Sequence, residues 1–194
     1  KMELLAKVPH IPMPSQRGKR LMRGRPLNQA EFAHLMRCVA AIRPQDGKAW
    51  RHLLRGMWLS GLRISEALKL TWHPSPFCVD FSHETRVRLR IYAEAQKSRK
   101  DEVLPLAPEF GAYLKICRQE EGLVFDMPLR RKASSNLKAV GRTISDIGKE
   151  SGIIVNEKGT TVTAHDLRRS FGTRWGNRVR PLTIKTMMPH ATIE

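Results

Sequence analysis

The residues best suited to chemistry lie in the stretch Thr163-Ala164-His165-Asp166-Leu167-Arg168-Arg169-Ser170-Phe171. It reads as the first two turns of a helix. Thr163 suits the N-cap, and Asp166 three residues later makes a variant of the capping box while placing negative charge at the helix N-terminus. That start puts His165 in the first turn, with Arg168 at i+3 on the same face and Gly172 close by, leaving the backbone open to approach. Leu167 and Phe171 point roughly the other way and predict an anchor in a core. An imidazole and a guanidinium held side by side on such a helix suit a phosphate. By itself the pair equally describes a solvated basic helix, since short motifs often match by chance.

A second stretch is Ser60-Gly61-Leu62-Arg63-Ile64-Ser65-Glu66-Ala67-Leu68. A helix is predicted from about Asp46 to Ser60, with Trp50, Leu53, Leu54, Met57 and Trp58 on one stripe and Gly61 as its C′ residue. Another is predicted from Ser65 to about Thr71. Arg63 then falls in the tight connection between them, where a side chain is well fixed yet reachable. Glu66, three residues on, is placed to orient the guanidinium.

Together, in this order and about a hundred residues apart, the two stretches resemble the conserved boxes of the tyrosine recombinases, or phage integrases. The resemblance runs from about Arg25 to the end. Pro189-His190-Ala191 resembles the third box, with Pro189 where that box usually has glycine. The resemblance implies that Arg63 and Arg168 clamp a phosphate, that His190 donates a further hydrogen bond, and that His165 assists proton transfer or positions the phosphate. It also implies an essential lysine in a hairpin, eight residues before the proline that closes the next strand. Counting back from Pro105 gives Lys97, with Lys100 as the competitor. The tyrosine nucleophile is expected a short helix beyond His190, past Glu194. Tyr92 on a strand and Tyr113 on a core helix face are poor substitutes. The helical core-binding domain that normally precedes such a catalytic domain is not found upstream.

The remaining elements must hold these residues in place. Residues 1–25 carry Pro9, Pro12, Pro14, Gly18 and Gly24 beside a basic run, and read as a linker or arm whose Arg17, Lys19 and Arg20 suit a phosphate backbone. Residues 26–194 are read as the catalytic domain. Asn28 caps a first helix with Glu31 at N3 and Leu27 stapled onto Phe32. Residues 77–81 make a short strand, 86–92 alternate with Val87, Leu89 and Ile91 on one face, and 101–106 pair back across a tip at 94–100. Pro108 suits N1 of a helix running to Gly122. Ser134 or Ser135 caps another, with Leu137, Val140, Ile144 and Ile147 inward and Gly152 as its stop. The fold class is therefore α+β, mainly α, with one small antiparallel sheet.

Lys and Arg number 35 against 18 Asp and Glu, a formal charge of +17. With 41% hydrophobic residues this is not a disordered basic tail, and the excess points to a polyanion, above all nucleic acid; charge alone does not choose RNA or DNA, and double-stranded DNA is what the resemblance implies. Lys100 and Arg169 join the arm as expected DNA contacts, and a homo-oligomer on DNA is expected. Cys38, Cys78 and Cys117 are too widely spaced for a disulfide framework or a cysteine zinc site. No apolar run reaches membrane-spanning length, and no Walker loop, H-E-x-x-H or two-metal carboxylate cluster is present. A cytoplasmic, DNA-associated protein needing no metal, cofactor or small-molecule substrate follows. Three other classes share parts of this pattern: a DNA-binding module that does not cleave, a type IB topoisomerase, and, more distantly, a basic RNA-binding protein.

Overall fold

The Asn28 side chain accepts the Glu31 N–H at 2.9 Å, and the Glu31 carboxylate accepts the Asn28 N–H at 2.9 Å, so the predicted capping box starts the first helix. The computed structural model describes residues 24–83, 85–95, 99–128 and 133–188. In order the elements are α1 (Gln29–Ile42), α2 (Gly47–Ser60), α3 (Ile64–Ala67), β1 (Phe77–Asp80), β2 (Arg88–Ile91), β3 (Glu102–Pro105), α4 (Pro108–Ile116), α5 (Ala133–Glu150), α6 (Ala164–Gly176) and α7 (Pro181–Met187). The fold is the expected mainly helical α+β class. Its sheet is antiparallel in the order β1-β2-β3, with Leu89 opposite Val79 on one side and Leu104 on the other.

The amphipathic stripe of α2 lies against α1, α3, α4 and α6, which makes it the centre of the core. Trp50, Leu53 and Leu54 from α2, Ile144 and Ile147 from α5, and Leu167 and Phe171 from α6 are completely buried. All four tryptophans are interior, and Trp58 has Phe32 stacked on it at 4.2 Å and the Arg174 guanidinium 4.1 Å from its ring centre. The alternation running into β2 buries Val87, just before the strand, and Leu89 and Ile91 within it, while Arg88 and Arg90 reach Asp80 at 3.0 and 3.3 Å. Burial pushes the Asp80 carboxyl up, but hydrogen bonds from Ser82 and Arg90 and the Arg88 charge outweigh it and hold it at about 2. The start of α6 seats tightly on α5. A Cβ at Gly148 would lie 2.0 Å from the Val162 carbonyl oxygen, so no larger residue fits that crossing.

Three boundaries differ from the sequence reading. The helix expected to reach Thr71 ends at Ala67, because Thr71 pairs with Cys78 and Leu123 and must leave the helix to do so. The helix expected to run to Gly122 ends at Ile116 with Cys117 as its C-cap, and Gly122 instead takes a positive φ of 93° in the following turn. Ser134 and Ser135 lie inside α5 rather than capping it, and Leu137 is 39% exposed rather than inward.

Candidate active site

Gly61 is where the two chemistry-bearing stretches meet. It closes α2 in the left-handed region at φ 67°, and a Cβ there would fall 2.5 Å from Cδ1 of Phe171. Glycine is required on both counts. Its carbonyl accepts a hydrogen bond from Nη1 of Arg168, which holds the α6 arginine against the turn that presents Arg63.

Arg63 occupies the N-cap of α3 with extended backbone. Glu66, in the first turn of that helix, accepts the Arg63 backbone N–H at 2.7 Å and Nη1 of its guanidinium at 2.6 Å. The other oxygen-bearing edge of the same carboxylate lies 3.6 Å from Nη1 of Arg168. One buried carboxylate, its side chain 3% exposed, thus faces two arginines from stretches 105 residues apart in sequence (168 − 63). The Arg168 side chain is 8% exposed and the Arg63 side chain 41%, so one cation is fixed in the floor and the other reaches toward solvent. Burial lowers the Arg168 guanidinium from its ordinary value, Glu66 raises it and Arg63 lowers it again. Two guanidinium charges against one carboxylate leave a net positive site suited to an anion.

His165 is exposed in the first turn of α6 and sits about 60° around the helix from Arg168 at 100° per residue. Asp166 accepts the Thr163 N–H at 2.9 Å and the Thr163 hydroxyl at 2.7 Å, fixing that turn. Lys100 is exposed on the hairpin, whose neck is closed by the Ala93 N–H donating to Asp101 at 2.8 Å. Arg169, expected to contact DNA, has its guanidinium on Asp166 and a side chain 13% exposed. Arg17, Lys19, Arg20, Lys97 and His190 lie outside the described residues.

The two tyrosines differ in what holds them. Tyr92 is half-buried with its N–H on the Pro76 carbonyl at 3.0 Å. The Tyr113 hydroxyl bonds Nδ1 of His52, whose Nε2 lies 2.8 Å from the Val124 carbonyl oxygen. A carbonyl only accepts, so Nε2 of His52 carries a proton, and in the neutral ring Tyr113 donates to Nδ1. Burial pushes the Tyr113 phenol up to about 12 and lowers His52. No local pattern marks this pair, whose members lie 61 residues apart.

A model of the phage integrase family matches residues 16–194. The chain belongs to that family. Among solved structures, XerA recombinase is similar at 22% identity and TM-score 0.52, over 91% of this chain and 58% of that one. A lambda integrase (75-356) dimer bound to a COC′ core site is similar at 16% identity and TM-score 0.57, over 89% of this chain and 59% of that one. XerH site-specific recombinase, solved as a pre-cleavage complex with its difH substrate, is similar at 20% identity and TM-score 0.54, over 86% and 47%. These likenesses are of fold, and the chain spans less than two thirds of each of those family members. A search of curated proteins finds no match. Among the described residues no group of three or more His, Cys, Asp or Glu is placed to hold a metal ion, and no helix is long and apolar enough to cross a membrane.

Proposed function

We propose that this is the catalytic domain of a tyrosine recombinase, which cuts and rejoins double-stranded DNA without a metal through a 3′-phosphotyrosine link. The observation that carries the proposal is the pairing of Arg63 and Arg168 on the one buried carboxylate of Glu66. In phosphodiester cleavage negative charge gathers on the nonbridging oxygens, and fixed cations must meet it there. Two guanidinium forks suit this role because they stay charged and bond phosphate oxygens in pairs. Glu66 holds the two forks beside one carboxylate without cancelling their combined charge.

The remaining roles follow from the chemistry. A tyrosine oxygen attacks phosphorus, and the 5′ oxygen leaves with a proton, which Lys97 in the hairpin supplies as general acid. His165 positions the phosphate or assists proton transfer at the nucleophile, and His190 adds a hydrogen bond. The nucleophile is a tyrosine beyond Glu194, since Tyr113 is a phenol made hard to ionise and Tyr92 is held in the sheet region. Lys100, Arg17, Lys19 and Arg20 contact phosphates along the duplex. The protein works as a homo-oligomer on DNA in the cytoplasm.

The test is a nicked suicide substrate resolved on a denaturing gel. A chain extended past Glu194 through the next tyrosine is expected to form a covalent adduct that Arg63→Ala or Arg168→Ala abolishes. The 194-residue chain is expected to bind the DNA without forming one. An adduct from the shorter chain that vanishes on Tyr92→Phe or Tyr113→Phe would overturn the nucleophile assignment. DNA binding with no adduct from any extension would leave a binding module in place of a recombinase.

A further inference from the structure

Helix α6 presents three faces at 100° per residue. Arg168 reaches the site and His165 lies about 60° around the helix from it, while Leu167, Phe171 and Trp175 enter the core. The third face, Asp166, Arg169 and Ser170, is used by the chain that comes in from the N-terminal side. The Leu27 N–H donates to Oγ of Ser170 at 2.8 Å, and that hydroxyl donates in turn to the Asp166 carbonyl at 2.6 Å. Ser170 is completely buried and Leu27 is 3% exposed. Two residues upstream the Arg25 N–H donates to the Val155 carbonyl at 2.7 Å. At Gly24 the backbone passes directly over the Asp166–Arg169 ion pair, and a Cβ there would lie 3.0 Å from both Nη1 of Arg169 and Oδ1 of Asp166.

We propose that residues Gly24–Leu27 are a positioning strap on α6, and that Ser170 is a positioning residue through which the incoming chain sets the rotation of the helix bearing Arg168. The idea rests on the phosphate-clamp reading of Arg63 and Arg168. Asp166 links strap and site, because the carboxylate beneath Gly24 also fixes the first turn of α6. A small rotation of α6 loosens the grip of Arg168 on the Gly61 carbonyl and on Glu66. Ser170→Ala removes the only side-chain oxygen that holds the Leu27 amide among the described hydrogen bonds, and leaves that buried donor unpaired.

A double-mutant cycle on the 194-residue chain tests this, with binding to a short fluorescent duplex as the readout and a thermal melt to check folding. Ser170→Ala is expected to weaken binding roughly fivefold in the parent chain and to change it by less than roughly 1.5-fold in an Arg168→Ala background, since coupled residues are not additive. A role in general stability alone would lower affinity by the same factor in both backgrounds, and that result overturns the strap. Should Ser170→Ala not fold, Gly24→Ala pushes on the same ion pair with Ser170 intact and is expected to show the same non-additivity. If Arg168→Ala itself leaves affinity unchanged, the clamp fails and the strap falls with it. A loss with Arg168→Ala but equal Ser170→Ala factors refutes the strap alone.

Discussion

Replacing Glu66 with Gln removes one negative charge and almost no volume. The Arg63 backbone N–H and Nη1 bond different carboxylate oxygens, at 2.7 and 2.6 Å, so the amide oxygen keeps one of these bonds and the amide NH2 cannot accept the other. Also lost is the charge opposite Arg168. At 3.6 Å and an effective dielectric near 20, that attraction amounts to roughly 4–5 kcal/mol before any relaxation. Arg63, at 41% exposure, turns to water and contributes less than about 1 kcal/mol. Arg168, at 8%, cannot, so its uncompensated charge stays buried. Breaking such a pair costs about 3–5 kcal/mol, and the one hydrogen bond that the amide oxygen keeps places Glu66→Gln at about 3. For a domain of this size that lowers Tm by roughly 6–12 °C. Urea unfolding at neutral pH measures it directly, with Lys149→Ala at the exposed Lys149–Asp146 pair expected within about 0.5 kcal/mol of the parent. Adding Arg168→Met to Glu66→Gln should restore part of the loss, because the stranded cation is gone. A loss below about 1 kcal/mol, or no recovery in the double variant, would show that Glu66 does not hold the two arginines as described.

His52 gives a pH signature. Burial lowers its folded-state pKa, so between that value and about 6.5 the unfolded chain binds a proton that the folded chain refuses. Stability is therefore full above about pH 6.5 and falls with a slope approaching about 1.4 kcal/mol per pH unit as pH drops toward the folded pKa; urea midpoints in His52→Gln should be flatter across this window. Gly148→Ala drives a methyl into the Val162 carbonyl and should cost about 3 kcal/mol or more in chemical denaturation, although alanine is the better helix former. DNA affinity should fall steeply with salt, and Arg63→Ala should reduce the slope of log K against log salt by about 1; an unchanged slope would remove Arg63 from the phosphate contacts.

The parts of the fold legible in the sequence were those fixed over a few residues. The Asn28–Glu31 box, Gly61, Pro108 at N1 and the Thr163–Asp166 turn act within one turn of helix, and each stands where local chemistry put it. The ends of α3 and α4 were misjudged because distant partners decide them: Thr71 leaves its helix for Cys78 and Leu123, and Gly122 turns where Trp72 takes its carbonyl. The resemblance to the recombinase boxes singles out Arg63 and Arg168, and spacing from Arg63 singles out Glu66, yet nothing local shows that Glu66 faces both arginines. Ser170 and His52 were invisible for the same reason, since their partners Leu27 and Tyr113 lie 143 and 61 residues away.

The burial of every tryptophan has a spectroscopic consequence. Trp50, Trp58, Trp72 and Trp175 all emit from the interior, so none is placed to stack on a base. Trp175 belongs to α6 itself and lies on its core face, 6.3 Å from Phe171, the ring that packs over Gly61. Its emission is tied to the seating of the helix that bears Arg168, which gives the domain a built-in optical gauge of that seating, read without any attached dye.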